Sequence, residues 1–151
     1  MPAKPRSPPA PVDRRTPRRR LGDRAESLVA TQLAALGWTI LAAGVHVGRD
    51  EVDLIAIEPG LPPTLVFVEV RSRSTDRFGT PEESVDQAKV ARIYRAALTL
   101  LRARRLPDGR RLPPLHWRVD LVAVDARPLT LDGVDGVDGV DMRHLRGISP
   151  D

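Results

Sequence analysis

Hydrophobic residues recur along the chain with spacings that change from helical to alternating and back. Residues 21 to 36 carry them at helical spacing, and Gly37 supplies a stop, which predicts an amphipathic first helix. Residues 38–42 then predict a first strand, and 43–48 lead into two further strands at 51–57 and 65–71, which a Pro- and Gly-rich turn joins. The apolar positions of the first helix are Leu21, Ala25, Leu28, Val29, Leu33 and Leu36.

The second half of the chain predicts one long helix and one long strand. Thr80 suits an N-cap, Pro81 the first helical position and Glu83 a capping box, and the apolar stripe continues to near Arg105. Residues 116–124 predict the next strand. The stripe of the helix consists of Val85, Ala88, Ile93, Ala96, Ala97, Leu100 and Leu101. The predicted order is therefore α-β-β-β-α-β, an α/β fold.

A Gly-Val-Asp repeat follows this strand. Its spaced acids lack the terminal bidentate Glu and the spacing of an EF-hand loop, so a flexible loop at 132–141 is favoured over a calcium site. Short strands are expected on either side of it, at 128–131 and 142–146. With them the sheet would have about four to five strands.

The hairpin between the second and third strands places charges where they are costly. If it is symmetric about Leu61, paired residue numbers sum to 122, and Asp53 lies opposite Glu69. Two carboxylates at a cross-strand distance of about 5 Å repel each other unless a cation lies between them, which suggests a divalent-metal site. The alternative is a surface cluster that Arg71 neutralises. Residues 65–68 favour the metal site, because they are apolar on both faces, as in a buried central strand.

Composition narrows the class of protein. The chain has 151 residues, of which 41% are hydrophobic and 3% aromatic, so aliphatic side chains must fill its core. It contains no Cys, which excludes disulfides and Cys-based zinc sites, and its three His residues lack metal-ligand spacing. No apolar run approaches the roughly 18 residues of a membrane span, and no secretory signal is evident. A cytoplasmic protein without a membrane partner is expected.

Charge is distributed unevenly between the N-terminal tail and the rest. Residues 1–20 hold seven Lys and Arg residues against one acid, whereas residues 21–151 hold 17 against 19. The Pro- and Arg-rich tail, residues 1–19, should be disordered, and it either adds affinity for a phosphate backbone or only solubilises the protein. Residues 20–148 are expected to form a single domain. Any nucleic-acid-binding face of that domain must be local, since its net charge is not positive.

Several motifs together resemble the YraN family of small bacterial proteins. They are residues 20–26 (Arg-Leu-Gly-Asp-Arg-Ala-Glu), 51–56 (Glu-Val-Asp-Leu-Ile-Ala), 67–73 (Phe-Val-Glu-Val-Arg-Ser-Arg), Lys89, and 118–120 (Arg-Val-Asp). The family is similar to the restriction-endonuclease-like fold and to archaeal Holliday-junction resolvases. The resemblance implies a core of that fold, with a mixed sheet flanked by helices, and a homodimer suited to a two-fold symmetric junction, although no dimer seam is evident in the sequence.

The resemblance also implies roles for individual residues. Asp53 and Glu69 would bind Mg²⁺ or Mn²⁺, with Glu26 from the first helix as a third acid, and Arg71 would stand at the position of a catalytic lysine. A metal held there activates water for phosphodiester hydrolysis. The side chains placed to hold flanking phosphates are Ser72, Arg73, Arg77, Lys89 and Arg92.

The chain departs from the family pattern at two positions. Arginine at position 71 stays charged and cannot accept a proton from water, so it can only stabilise negative charge. Asp50 stands where the family pattern has glycine and would add one more acid to the site.

Two main functions follow from these observations. One is a magnesium-dependent endonuclease acting on branched or damaged DNA in recombination or repair. The other is a nuclease-fold protein that binds nucleic acid without efficient cleavage. A third, less favoured class is a protein-interaction adaptor. The sequence does not distinguish DNA from RNA, or a junction from a linear substrate.

Overall fold

A computed structural model describes residues 17–73, 87–125 and 142–150. Several expectations concern residues outside these ranges. They are the N-terminal tail as far as residue 16, the capping box at Thr80, the strand at 128–131 and the repeat loop at 132–141.

Within the described ranges, two helices and five strands form the fold, and the first six elements follow the predicted order α-β-β-β-α-β. Strand β3 pairs with β4 in parallel, and the other neighbouring strands are antiparallel, so the sheet is mixed and has the order β1-β2-β3-β4-β5. The predicted α/β class is confirmed, and the arrangement is consistent with a restriction-endonuclease-like fold. The elements are α1 (Pro17–Ala35), β1 (Thr39–Val47), β2 (Asp50–Glu58), β3 (Thr64–Arg73), α2 (Gln87–Ala103), β4 (His116–Asp125) and β5 (Met142–Leu145).

Each face of the sheet is covered by one helix. Ala25, Val29 and Leu33 of α1 pack on one face, and Ile93 and Leu100 of α2 pack on the other. Residues 65–68 of β3 are fully buried between the two layers, which confirms the central strand that their apolar pattern predicts.

The hairpin register also agrees with the prediction. Strands β2 and β3 pair from Glu58↔Thr64 to Leu54↔Val68, so paired residue numbers sum to 122 throughout. Asp53 and Glu69 are therefore the first residues beyond the paired region, one on each strand.

The first helix and first strand differ from the prediction in their bounds. Helix α1 begins at Pro17, four residues before Leu21, and it ends at Ala35. Leu36 was wrongly assigned to the apolar stripe, because it lies beyond the helix and is 69% exposed. Strand β1 continues to Val47, because residues 43–47 pair with β2 through a tight turn at Gly48, whose φ is 60°.

Candidate metal centre

The Asp53 side chain lies where β2 and β3 stop pairing. Its Oδ2 accepts a hydrogen bond from the Val70 backbone N–H at 2.8 Å, so the carboxylate takes the place of a strand partner. Asp53 is only partly buried, and its side chain also forms hydrogen bonds with Glu69 and Glu26. The end of the ladder thus fixes one carboxylate at the edge of the sheet.

Two more acids lie beside Asp53. Carboxylate oxygens of Glu26, Glu51 and Asp53 lie within 4.8 Å of one another. Helix α1 supplies Glu26, the acid for which the resemblance implies a ligand role, and β2 supplies the other two. Glu51 was missed as a site residue. The signal was present, since residues two apart on a strand share a face and Glu51 precedes Asp53 by two.

Glu69 joins the cluster from β3 and contacts a cation from α2. Its carboxylate is 6% exposed and lies 2.7 Å from Lys89 Nζ. It also forms a side-chain hydrogen bond with Asp53. The sequence placed Lys89 among the residues holding flanking phosphates, whereas the structure places its ammonium directly on the predicted metal ligand.

Burial and mutual repulsion raise the proton affinity of these acids. Burial is the main cause that raises the pKa of Asp53 to about 6, and the charge of Glu26 adds to it against the hydrogen bond from Val70. Burial, then the charge of Asp53, raises the pKa of Glu69 to about 7, although Lys89 opposes the shift. Burial and the neighbouring acids also raise the pKa of Glu26.

These observations test whether the residues suit a divalent cation. Carboxylates of Glu26, Glu51 and Asp53 lie together, and Glu69 is hydrogen-bonded to Asp53. Burial, with the charges of the neighbouring acids, raises the pKa values of Asp53 and Glu69 toward neutrality although Lys89 contacts Glu69. A hard divalent cation with oxygen ligands, such as Mg²⁺ or Mn²⁺, would bind the ionised forms and relieve the repulsion. The donor set therefore fits the predicted metal.

Asp50 does not add a further ligand. It is buried, and its two carboxylate oxygens accept hydrogen bonds from Arg95 Nε and Nη2, both at 2.8 Å. This pairing lowers the pKa of Asp50. Asp50 does line the cavity as one more acid, but a bidentate pair already occupies its carboxylate and ties the start of β2 to α2.

A cavity of ≈ 270 Å³ opens onto the acids. Arg92, which the sequence predicts to hold phosphate, lines it together with Lys89 from the same helix. Acids and bases thus face the same space, which suits a metal ion beside a phosphate group. The lining residues are Arg49, Asp50, Glu51, Asp53, Glu69, Lys89, Arg92 and Ile93.

The other predicted site residues lie apart from this cavity or outside the described ranges. Arg71 is half-buried on β3 but is not among the described residues that line the cavity. Ser72 is exposed near the end of β3, and Arg73 ends that strand. Arg77 lies outside the described residues. Of the five predicted phosphate-binding residues, the structure brings Lys89 and Arg92 to the acids.

A second polar cluster surrounds Asp120 on β4, which is fully buried. Although burial alone would raise it, hydrogen bonds from His144, Arg118 and the Gly147 N–H hold the pKa of Asp120 down to about 2. Arg118 also pairs with Glu58 at 3.0 Å. Asp120 and Glu58 are both paired with basic side chains, and the pKa of Asp120 is lowered and not raised, so this network stabilises the fold and is not a candidate ligand site.

The fold and the site together define a class of protein. A mixed sheet covered by one helix on each face is consistent with a restriction-endonuclease-like fold, and here a cluster of acids lies at the end of the central hairpin. Residues 25–124 match the model of the uncharacterised protein family UPF0102. The chain belongs to this family, which is also known as YraN, so the resemblance stated from the sequence motifs is confirmed.

Individual relatives agree with this assignment over most of the chain. A UPF0102 protein of Symbiobacterium thermophilum is 42% identical over 111 residues, which cover 73% of this chain and 86% of the relative. A UPF0102 protein of Bordetella petrii is 40% identical over 124 residues, which cover 78% and 70%. One from Moorella thermoacetica is 40% identical over 107 residues, covering 71% and 82%.

Among the residues that the structure describes, no helix is long and apolar enough to cross a membrane.

Proposed function

We propose that this protein is a metal-dependent endonuclease that hydrolyses phosphodiester bonds in DNA. The observation that carries the proposal is the cluster of Glu26, Glu51 and Asp53, with Glu69 hydrogen-bonded to Asp53. Three of these acids, Glu51, Asp53 and Glu69, line a cavity that Lys89 also lines. Burial raises the pKa values of Asp53 and Glu69, and acids with pKa values shifted in this way concentrate at functional sites.

Carboxylates from one helix and two strands would bind the metal ion. Asp53 and Glu51 from β2, with Glu26 from α1, offer oxygen ligands, and the Val70 N–H keeps Asp53 oriented toward them. Glu69 completes the set from β3. When bound, Mg²⁺ or Mn²⁺ would offset the negative charge of the phosphate and make water a better nucleophile.

Lys89 supplies the cation of the site in place of Arg71, which is not among the described residues that line the cavity. Its ammonium lies 2.7 Å from Glu69 Oε1 and faces the cavity, where it can donate hydrogen bonds to a phosphate oxygen or to the attacking water. In the pattern that the resemblance implies, a lysine two residues after the strand glutamate does this. Here the cation comes from α2, so arginine at position 71 does not by itself abolish cleavage.

Branched DNA is the substrate class that the resemblance favours, with a place in recombination or repair. A four-way junction has two-fold symmetry, so a resolving enzyme would act as a homodimer. Location in the cytoplasm goes with that substrate.

The experiment that tests the proposal measures cleavage of a four-way junction and of a linear duplex with Mg²⁺ or Mn²⁺. The wild type should cut, and Asp53→Ala and Glu69→Gln should each abolish cutting. Asp108→Asn is the matched control, since it removes one acid from an exposed turn and should leave cleavage unchanged. Cleavage that survives Asp53→Ala would refute the proposal.

A second candidate is a protein that binds nucleic acid without cleaving it. Arginine at position 71 favours it, because the lysine of the implied motif is absent there. Salt-sensitive DNA binding with no cleavage by the wild type, and a gain of cleavage in Arg71→Lys, would support this second function. Absence of binding even at low salt would point to the adaptor class instead.

A further inference from the structure

Positive charge within the folded domain is concentrated in α2 and the turn that follows it. Residues 87–111 contain eight Lys and Arg residues and one acid, a net charge of +7. The rest of residues 21–151 contains nine basic and 18 acidic residues, a net charge of −9. A nucleic-acid-binding surface is therefore expected in this segment, although the net charge of the whole domain is negative.

Helix α2 presents this charge on its outer side. Its sequence contains no Asp or Glu, and its buried Ile93 and Leu100 pack in the core cluster against the sheet. Arg92, Arg95 and Arg102 are exposed and lie within about 80° of one another around the helix. Arg95 also pairs with Asp50, yet its side chain is 49% exposed.

An ordered turn continues the row of arginines beyond the helix. Arg105 and Arg111 form a backbone bridge, and the Leu112 N–H donates to the Arg104 carbonyl at 3.0 Å. Arg104, Arg105 and Arg111 are all exposed. A cation on a fixed backbone loses less conformational entropy on binding than one on a flexible segment.

The row begins at the acidic cavity, since Lys89 and Arg92 line it. From Arg92 to Arg102 the helix advances about 15 Å, which equals the length of about four base pairs of duplex DNA. We refer to the exposed side chains of this row as the basic face, which consists of Arg92, Arg95, Arg102, Arg104, Arg105 and Arg111.

We propose that the basic face binds the phosphate backbone of a duplex DNA arm that extends from the cavity along α2. This inference rests on the proposed function for its choice of nucleic acid and for the point where the arm begins. The basic face is about 15 Å long from Arg92 to Arg102, its helix contains no acid, and it begins at the cavity. These features suit a regular polyanion such as duplex DNA. The contacts would position the DNA and would not read its sequence.

The test measures affinity of the full chain for a fluorescent DNA duplex by anisotropy over a range of salt concentrations. All proteins carry Asp53→Ala, so that cleavage does not interfere, and the N-terminal tail is the same in each. Arg102→Gln with Arg111→Gln should weaken binding and reduce the slope of log affinity against log salt by about two, since each phosphate contact contributes roughly 0.9.

The matched control is Arg24→Gln with Arg143→Gln, two exposed arginines on α1 and β5. It removes the same charge and should leave the slope unchanged. An equal loss in the control, or an Arg102/Arg111 variant that binds as tightly as the Asp53→Ala parent protein, would overturn the proposal. Preferential binding of an acidic peptide or of RNA through the same arginines would also overturn it.

Failure of this proposal is distinguishable from failure of the proposed function. If the wild type shows metal-dependent cleavage and the Arg102/Arg111 variant binds DNA unchanged, the endonuclease proposal stands and the proposal for the basic face is refuted. If binding depends on these arginines and the chain that retains Asp53 does not cleave DNA, the proposal for the basic face stands and the endonuclease proposal is refuted.

Discussion

Replacing Asp53 with asparagine should make the metal-free protein more stable. The amide oxygen can still accept the hydrogen bond from the Val70 N–H, so the strand contact survives while the charge is lost. Removing that charge also lessens the repulsion on Glu69, whose pKa the ionised Asp53 helps to raise. A residue on which activity is expected to depend is thus expected to cost stability.

The size of the effect follows from the pKa of Asp53, which rises from 3.8 to about 6. One pKa unit corresponds to about 1.4 kcal/mol, so the ionised carboxylate costs up to about 3 kcal/mol. Because the folded-state pKa lies above the unfolded value, this cost is absent below pH 4. It grows from pH 4 to pH 6 and is complete above pH 6.

Thermal unfolding with a chelator present, at pH 8 and at pH 4, measures the effect. Asp53→Asn should raise the Tm at pH 8 by on the order of 10 °C and leave it nearly unchanged at pH 4. Asp120→Asn is the matched control with the opposite sign. Its pKa is held at about 2, so the ionised form is stabilising, and the variant should lower stability at pH 8 by about 3 kcal/mol.

A Tm that falls for Asp53→Asn at pH 8, as it does for Asp120→Asn, would refute the reasoning. It would mean that the Asp53 charge is already offset in the metal-free protein and that no cation is needed to stabilise the cluster.

Three further outcomes are expected. Lys89→Met should lower the rate constant of DNA cleavage in single-turnover assays by about 100-fold or more, and Arg71→Met should lower it much less. Similar losses in the two variants would show that Lys89 has no special role. Glu51→Gln should weaken Mn²⁺ binding by about tenfold in calorimetry, and unchanged affinity would remove Glu51 from the ligands. Mg²⁺ at about 100 times its Kd should stabilise the wild type by about 2.7 kcal/mol, an effect that EDTA reverses and Asp53→Asn lacks.

The hairpin at the centre of the site was predictable because local geometry determines it. A short turn about Leu61 sets the register of both strands, and β3 is apolar on both sides, so Asp53 and Glu69 could be placed at the end of the ladder from numbering alone. Glu51 could have been placed in the same way, from its spacing of two residues before Asp53.

The partners of these residues were not predictable, because they come from distant parts of the chain. Lys89 lies 20 residues beyond Glu69, on a helix whose position over the sheet the sequence does not determine. The extension of β1 to Val47 depends on pairing with β2 and not on the weak strand preference of its own residues. Contacts of this kind depend on tertiary packing.

The bidentate pair between Asp50 and Arg95 has an evolutionary consequence. Asp50 is buried at the start of β2. Substitution of Arg95 alone would leave the Asp50 carboxylate without the two hydrogen bonds that Arg95 donates to it. Substitution of Asp50 by glycine, the residue implied by the family pattern, would leave the arginine with nothing to hold at that point. The two positions, 45 residues apart, are therefore constrained to change together, and descent within the family should retain them or lose them as a pair.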